Sequence, residues 1–202
     1  VWIKNRDAVD AHCLFDAVRG ATKLLSSDAN TAESTDTDTL DSFATDGFQV
    51  DADVKVNTNT EDYVAWCWKE SATAGFDIVS WTGNGSAQDI SHSLSKVPTF
   101  IIVKNRDQAD SWYCYNVHNG NTHSMILDTD SAKVGAYTDN WNDTTPTTSV
   151  FSVGGSHATS GGSSEAMIAY AFTDIQGFSK FGKYTGNGGT SGVDTADGTF
   201  VY

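Results

Sequence analysis

The sequence predicts an all-β protein, an antiparallel β-sandwich built from two internal repeats of about 100 residues each. Short segments rich in β-branched and aromatic residues recur roughly every 8–12 residues between Gly, Asn, Asp and Pro, which is typical of sandwiches and barrels. The apolar start of Val1–Asp7 and its Lys-Asn-Arg-Asp tetrapeptide return at Ile101–Asp107. No window of eleven residues has a convincing helical period. Ala8–Arg19 is the nearest candidate, and it is not predicted as a helix because its counterpart in the repeat, Gln108–Asn119, contains Trp-Tyr-Cys-Tyr, a strand composition.

The repeat extends well beyond this heptapeptide. The further matching pairs keep the same order along the chain and are Tyr63–Trp68 with Met167–Phe172, Gly75–Phe76 with Gly177–Phe178, and Trp81–Gly85 with Tyr184–Gly188. We expect a first repeat over residues 1–70 without its opening hairpin, a complete second repeat over 75–174, and an opening hairpin over 177–202. That hairpin would complete the first repeat, within one chain or between chains, or would begin a following repeat of a longer tandem array.

The strand expectations follow from alternating or β-rich composition. They are Val1–Ile3, Cys13–Phe15, Leu24–Leu25, Phe48–Val50, Val54–Asn57, Tyr63–Trp68, Phe76–Trp81, Ile90–Leu94, Phe100–Val103, Trp112–Tyr115, Met125–Leu127, Val150–Val153 and Met167–Phe172. Asn84-Gly85 predicts a two-residue hairpin turn after Phe76–Trp81, because Asn-Gly accepts the positive φ angles of such turns. The polar stretches Ser26–Thr39, Asn140–Thr148 and Gly154–Ser164 are predicted as loops.

The charge excludes some classes of partner. A net charge of −14 and a pI near 4.4 argue against nucleic acid, which needs a basic face, and against an anionic membrane surface. No apolar run approaches the length of a membrane span. Clustered Asp and Asn oxygens leave room for Ca²⁺, although a solvated acidic surface explains them more simply. Apart from that Ca²⁺, no cofactor is expected.

Three cysteines, an odd number, form no C-x-x-C pair. Cys67 lies between Trp66 and Trp68 in an aromatic strand and is predicted to be a buried free thiol. A disulfide between Cys13 and Cys114 is left open as an alternative to two further free thiols.

No catalytic motif accompanies the repeat, so we expect no enzymatic activity. The Lys4–Asp7 tetrapeptide and its copy could bind an anion or a sugar, but a structural turn with Lys or Arg paired to Asp explains them better. Asn84 and Asn187 could bind calcium or a glycan hydroxyl, and turn chemistry alone explains both. Glu61, Glu70 and Glu165 are the carboxylates nearest to strong strands, and strand ends exposed to solvent account for them.

Exposed aromatic side chains are the usual platforms on which sugars stack, and the tryptophans named next are expected to be exposed. We expect candidate ligand-binding residues at Trp141, with Asn140 and Asp143 beside it, and at Trp112 and Trp81. Trp141 is the foremost candidate, because it lies in a polar stretch that is predicted to be a loop. The alternative is a Trp tucked under its own loop.

Several strings resemble a repeat in predicted structural proteins of marine and cyanobacterial tailed phages. These strings are Tyr63–Lys69, Gly75–Gly85, Ile90–Leu94, Phe100–Arg106, Ser149–Gly154, Ile168–Phe172 and Gly177–Gly182. The resemblance implies a jelly-roll or concanavalin-like sandwich in a tail fibre or appendage on the virion surface. Its implied partners are other virion proteins or copies of itself in a homo-oligomer, and host-surface glycans. The resemblance supplies no catalytic residue. The alternatives are a capsid decoration protein without a ligand and a carbohydrate-active enzyme on a lectin-like sandwich.

Overall fold

The computed structural model describes residues 1–186 as antiparallel strands with three helical turns. The strands are β1 (Trp2–Asn5), β2 (Cys13–Asp16), β3 (Gly20–Ser26), β4 (Ser34–Thr35), β5 (Leu40–Phe43), β6 (Phe48–Val50), β7 (Tyr63–Trp66), β8 (Phe76–Thr82), β9 (Gln88–Ser91), β10 (Phe100–Asn105), β11 (Tyr113–Asn116), β12 (His123–Ile126), β13 (Val134–Gly135), β14 (Val150–Val153) and β15 (Ala166–Phe172). The helices are α1 (Val54–Asn57), α2 (Thr138–Trp141) and α3 (His157–Ser160).

Two large antiparallel sheets carry the fold. The first sheet has the strand order β4-β3-β2-β1-β7, and the second has the order β13-β12-β11-β10-β15-β8. The remaining described strands form two small sheets, one of β9 with β14 and one of β5 with β6. The chain passes from the edge strand β7 of the first sheet directly to the edge strand β8 of the second.

Successive side chains of a strand point to opposite faces of its sheet, so the apolar side chains form three layers. In β15, Ile168 and Tyr170 face a central layer between the two large sheets, where they join Leu14 and Leu25 of the first sheet. The intervening residue Ala169 faces the opposite way, into an outer core with residues of β9 and β14. A second outer core lies between the first sheet and residues of β5, β6 and α1. The large sheets therefore pack face to face in a sandwich-like arrangement, and each has a covered outer face.

The predicted strands are confirmed with shifted ends, except for Val54–Asn57, which is a helical turn. Its two valines are compatible with a strand and with one turn of helix. The preceding residue, Asp53, favours the helical turn. The Asp53 carboxylate accepts a hydrogen bond from the Lys55 N–H at 2.7 Å, as an N-cap does. Val56 can then be buried on the inner side of the turn.

The hairpin turn predicted at Asn84-Gly85 is wrong. Strand β8 pairs with β15 along its whole length, whereas β9 pairs with β14. The connection folds against the start of β15 instead, and the Gly83 N–H donates to the Glu165 carbonyl at 2.7 Å. A Cβ on Gly83 would lie 2.5 Å from the Gly162 carbonyl oxygen, so this close approach requires glycine.

The predicted loop Gly154–Ser164 contains the helical turn α3, and Ser26–Thr39 contains the short strand β4. The predicted loop Asn140–Thr148 begins with the last two residues of α2. Among the described residues, no helix has the length and apolar character needed to cross a membrane. The expected opening hairpin over 177–202 lies partly outside the described residues, and its described part, up to Gly186, has no strand.

Candidate functional site

The foremost predicted ligand residue, Trp141, is 1% exposed, so the expected exposure is wrong. Helix α2 turns its ring inward, edge-on to Tyr115, with ring centroids 5.6 Å apart. Its indole N–H donates to Ser124 Oγ at 2.8 Å, and the amide of the buried Asn140 donates to the same oxygen at 3.1 Å. Asp143 alone of this group is exposed. The Trp is tucked under its own loop, and it fills the outer core of the second sheet.

Trp112 is buried as well, and its expected exposure is also wrong. Its indole N–H lies between the carbonyl oxygens of Ser26 and Ala29, at 2.9 and 3.0 Å. Because Ser26 is the last residue of β3 and Ala29 lies just beyond it, Trp112 links the second sheet to the first. Trp81 is half-buried, and its indole N–H donates to the Ser160 carbonyl at 3.3 Å. Trp81 and Trp141 belong to one outer core and Trp112 to the central layer, so the three do not form one platform. Ligand binding at Trp81 and Asp143 stays a prediction.

The Lys-Asn-Arg-Asp tetrapeptide forms a structural turn in both places. The fully buried Lys104 ammonium donates to the carbonyls of Asn105 and Gln108, at 2.6 and 2.9 Å, and Lys4 makes the matching bonds. Burial lowers the pKa of Lys104 to about 8, although Asp110 and Asp128 act in the opposite direction. The expected Lys–Asp pairing is therefore wrong, because the lysines bond to backbone carbonyls.

The cysteines differ in exposure. Cys67 is exposed, so its predicted burial is wrong, because no described strand covers that side of β7. Cys13 and Cys114 are free and buried, and no disulfide joins them. Burial raises the pKa of each of these two thiols to about 12. Residues 1–186 contain no group of three His, Cys, Asp or Glu side chains placed to hold a metal ion.

A buried polar network links the two large sheets. The Tyr170 hydroxyl of β15 donates to the Asp16 carboxylate of β2 at 2.6 Å. The fully buried Arg19 side chain pairs with Asp16 and, at 3.1 Å, with Glu33. Arg106, which follows β10, donates to both oxygens of Glu33 at 2.8 and 2.7 Å. The network joins both sheets through charge-assisted hydrogen bonds, which are stronger than neutral ones.

The pKa directions match these ion pairs. Burial alone would raise the pKa of Asp16, but the Arg19 guanidinium and the Tyr170 hydroxyl outweigh it, and the pKa is lowered. Burial likewise opposes the hydrogen bonds from Arg106 and Arg19 at Glu33, and the pKa of Glu33 is also lowered. Both carboxylates are therefore ionised in their pairs near neutral pH, so the network is a structural link.

A second polar group lies at the start of β15. His157 bridges two carboxylates, with Nδ1 2.8 Å from Asp110 Oδ2 and Nε2 3.1 Å from Glu165 Oε2. The hydrogen bond with Asp110 raises the pKa of His157, burial opposes it, and the charges of Asp110 and Glu165 add to the rise. Glu165 also accepts hydrogen bonds from the Asn105 amide and the Gly162 N–H. The carboxylate is occupied by bonds that hold the adjoining loops together.

A cavity of about 230 Å³ lies between the two large sheets, near the end of β7. Its lining is mostly apolar, and includes Trp2, Trp68, Phe76, Trp112, Tyr170 and Phe172. The Ser27 hydroxyl, in a residue that is 4% exposed, also lines it and has no hydrogen-bond partner in the described structure. Glu70 lies at the same cavity, and burial together with the neighbouring Asp77 raises its pKa.

Two residues that line this cavity, Trp2 and Trp68, form with Trp66 a partly exposed aromatic group. We call Trp2, Trp66 and Trp68 the aromatic edge. Trp66 is 44% and Trp68 is 42% exposed. Both contact Trp2, with ring centroids 5.8 and 6.2 Å away. The sequence identified this strand as aromatic but did not show its exposure, because exposure depends on whether another strand lies beside β7. Apolar contact and strand pairing are the chemistry that this edge provides.

The structure thus defines a mostly β protein of packed antiparallel sheets with an aromatic edge. The chain belongs to a family described as a domain of unknown function (DUF7483), whose model matches residues 1–202. No curated protein and no solved structure matches the chain at a significant level.

Proposed function

We propose that the chain is a structural module of a phage virion, in a tail fibre or appendage, built from two β repeats. In this proposal its packed sheets form a jelly-roll or concanavalin-like sandwich. Its partners are other virion proteins or copies of itself. The observation that supports a structural role is that large aromatic and charged side chains of the chain are buried in its interior. Trp112, Trp141, Arg19 and Lys104 are all buried and hold the sheets and turns together.

Strand pairing supports the two repeats. Strands β1 to β4 are neighbours in chain order, as β10 to β13 are, and β7 flanks β1 as β15 flanks β10. The register agrees with the sequence match: Lys4 lies opposite Val64 in the first sheet, and Lys104 lies opposite Ile168 in the second. The following turns agree as well, because the Asn5 and Asn105 side chains each accept a hydrogen bond from the N–H two residues on.

The exposed surface is better suited to binding other proteins than to binding or hydrolysing a glycan. The aromatic edge offers apolar area, and one side of β7 pairs with no described strand; both are features of surfaces that bind other proteins. Glycan binding has narrower support, since of the proposed aromatic platforms only the half-buried Trp81 reaches the surface. A hydrolase has less support, because Glu61 and Glu165 are engaged in hydrogen bonds to neighbouring side chains.

The location of the protein tests the proposal. An antibody against this chain would be applied to intact phage particles from the source and imaged by electron microscopy, with an antibody against an unrelated protein as the control. Label on the tail or an appendage is the expected result. Label spread over the capsid would favour the decoration alternative, and the absence of label from purified particles would overturn a role in the virion.

The glycan part of the proposal has its own test. A Trp81→Ala variant would be compared with Trp66→Ala on a glycan array and in binding to host cells. Loss of binding confined to the Trp81 variant is expected if Trp81 stacks on a sugar. Equal binding of both variants and the unaltered protein would remove Trp81 as a glycan site.

A further inference from the structure

Within residues 1–186, the first sheet has no strand in the place that β8 takes in the second sheet. In the second sheet, β15 is flanked by β10 on one side and by β8 on the other. In the first sheet, β1 is the one described strand that pairs with β7. An unpaired edge exposes a row of backbone N–H and carbonyl groups that another strand can pair with. The cavity between the sheets lies beside this edge.

The chain itself contains a segment whose sequence matches β8. Gly75-Phe76 corresponds to Gly177-Phe178, and Trp81-Thr82 corresponds to Tyr184-Thr185, with one additional residue between them. Phe178 is 69% and Tyr184 is 68% exposed, whereas the corresponding Phe76 is buried in the central layer. Two large exposed rings on this segment and an exposed aromatic edge on β7 would cover each other.

We propose that residues 178–185 pair with the free edge of β7 in the same chain and complete the first sheet as a sixth strand. This inference rests on the two-repeat part of the proposed function. Strand β8 runs antiparallel to β15 with Phe76 opposite Phe172. The matching register places Phe178 opposite Trp68 and Ser179 opposite Cys67, in an antiparallel pair.

The path between the sheets is short enough for this arrangement. The Phe172 ring, at the end of β15, lies 6.4 Å from the Trp68 ring of the first sheet. The five residues 173–177 then span up to about 17 Å when extended, and packed sheets lie about 10 Å apart. Ile175 already lies against Gly75, where the chain enters β8 from the first sheet. The chain therefore leaves the second sheet beside the end of β7 at which the new strand would begin.

The side chains of the added strand would fill the space between the sheets. Residues two apart point to the same face of a strand, so Phe178 and Lys180 would both face the central layer. There the Phe ring would enter the apolar cavity beside Trp2 and Trp68, and Lys180 would lie opposite Trp66. In exchange, Phe181 would leave its present contacts with the rings of Phe100 and Phe172, at 5.2 and 5.5 Å.

A single substitution tests the register, because Cys67 supplies one thiol. Opposed residues in an antiparallel pair lie about 4.5–5.5 Å apart at Cα, which a disulfide can bridge. A Ser179→Cys variant would be oxidised with a glutathione redox buffer. An intrachain disulfide to Cys67 is the expected product, identified by non-reducing electrophoresis and peptide mass spectrometry. The thiols of Cys13 and Cys114 are buried and do not compete.

Lys183→Cys is the matched control. It lies on the same segment, but the proposed pairing holds it near the far end of β7, so its disulfide with Cys67 should form at least ~10-fold more slowly. Equal rates for the two variants would mean an unpaired segment and would overturn the proposal. So would the absence of the disulfide. A disulfide-linked dimer would identify a second copy as the donor of the strand and would overturn closure within one chain.

Hydrogen exchange gives a second measurement without an introduced thiol. We expect the amides of Tyr63–Trp66 that face the open edge to be protected in the unaltered protein. In a Phe178→Ser variant they should exchange at least ~10-fold faster. Unchanged exchange would overturn the proposal. The outcome is separate from that of particle labelling, because a protein located on the virion can lack the strand and a closed sheet can occur off the virion.

Discussion

Replacing Arg19 by Met should strongly destabilise the protein, because it leaves the Asp16 carboxylate buried without its ion pair. Both side chains are almost fully buried, at 0% and 2% exposure. Breaking a buried pair by removing one partner costs about 3–5 kcal/mol. The Tyr170 hydroxyl and the Arg19 backbone N–H still donate to Asp16 in the variant, which places the loss toward the lower end of that range. Glu33 keeps its bonds with Arg106.

The free energy of unfolding would be measured by guanidinium denaturation, followed by tryptophan fluorescence. In a chain of this length, the expected loss corresponds to a fall in melting temperature of about 6–20 °C. The control is Arg6→Met, at an exposed arginine for which the described residues include no ion pair, and it should change stability by no more than about 0.5 kcal/mol.

A second variant separates the ion pair from simple loss of packing. Asp16→Asn together with Arg19→Met removes the buried charge as well as its partner, and it should recover at least about 1 kcal/mol relative to Arg19→Met alone. A loss below about 1 kcal/mol in Arg19→Met, or no recovery in the double variant, would refute the reasoning that an unpaired buried carboxylate is the source of the cost.

Three further predictions follow from burial and charge. Trp141→Ala should destabilise the protein by about 3–5 kcal/mol in denaturant melts, whereas a loss below about 1 kcal/mol would contradict its place in the core. Thiol titration of the folded protein should detect one rapidly reacting cysteine, Cys67, and three after unfolding; three in the folded state would contradict the burial of the others. The pKa values of Asp16 and Glu33 in the folded protein are lowered. Their ion pairs therefore stabilise the fold fully at pH values above the pKa of the unfolded chain, about 3.9 for Asp and 4.3 for Glu. This stabilisation is lost as the pH falls through the pKa values of the folded protein. Denaturant melts should therefore show the stability gap between the unaltered protein and Arg19→Met narrowing from pH 7 to pH 3, and a constant gap would contradict this sign.

The strands were predictable from sequence because each has a local signal. Met167–Phe172 alternates between a central and an outer core, and its β-rich composition identifies it before any partner is known. The burial of Trp141 had no such signal, because its neighbours are polar and its hydrogen-bond partner, Ser124, lies on another strand. The helical turn at Val54–Asn57 had a partial signal in Asp53, since an Asp before a short apolar pair is typical of an N-cap.

The aromatic edge could not be inferred for a different reason. An aromatic strand such as Tyr63–Trp66 is equally consistent with a central strand and with an edge strand, because composition reports the strand and not its neighbours. The exposure of Trp66 and Cys67 depends on the absence of a described strand beside β7. Long-range pairing therefore decides whether these residues belong to a core or to a surface that can bind another segment.

The two copies of the Lys-Asn-Arg-Asp tetrapeptide have identical sequences but different ion pairs. Both copies form the same turn, because Lys4 and Lys104 donate to the carbonyls that follow them. The next residue differs: Arg106 pairs with Glu33, before β4, whereas the described residues include no ion pair to Arg6.

The acidic residue that pairs with Arg106 has no acidic counterpart in the second half of the chain. Glu33 stands immediately before β4, and the residue in the corresponding place before β13 is Lys133, which has the same charge as Arg6. A lysine cannot form an ion pair with an arginine, so the pair between Arg106 and Glu33 has no equivalent at Arg6 and Lys133. The turn is set by local backbone geometry, which both copies preserve. The link between the sheets is set by one side chain on a distant loop, which only one copy has. A surface partner that recognised the shared turn could contact Arg6 but would find Arg106 already engaged, so the two copies present different charges from the same backbone.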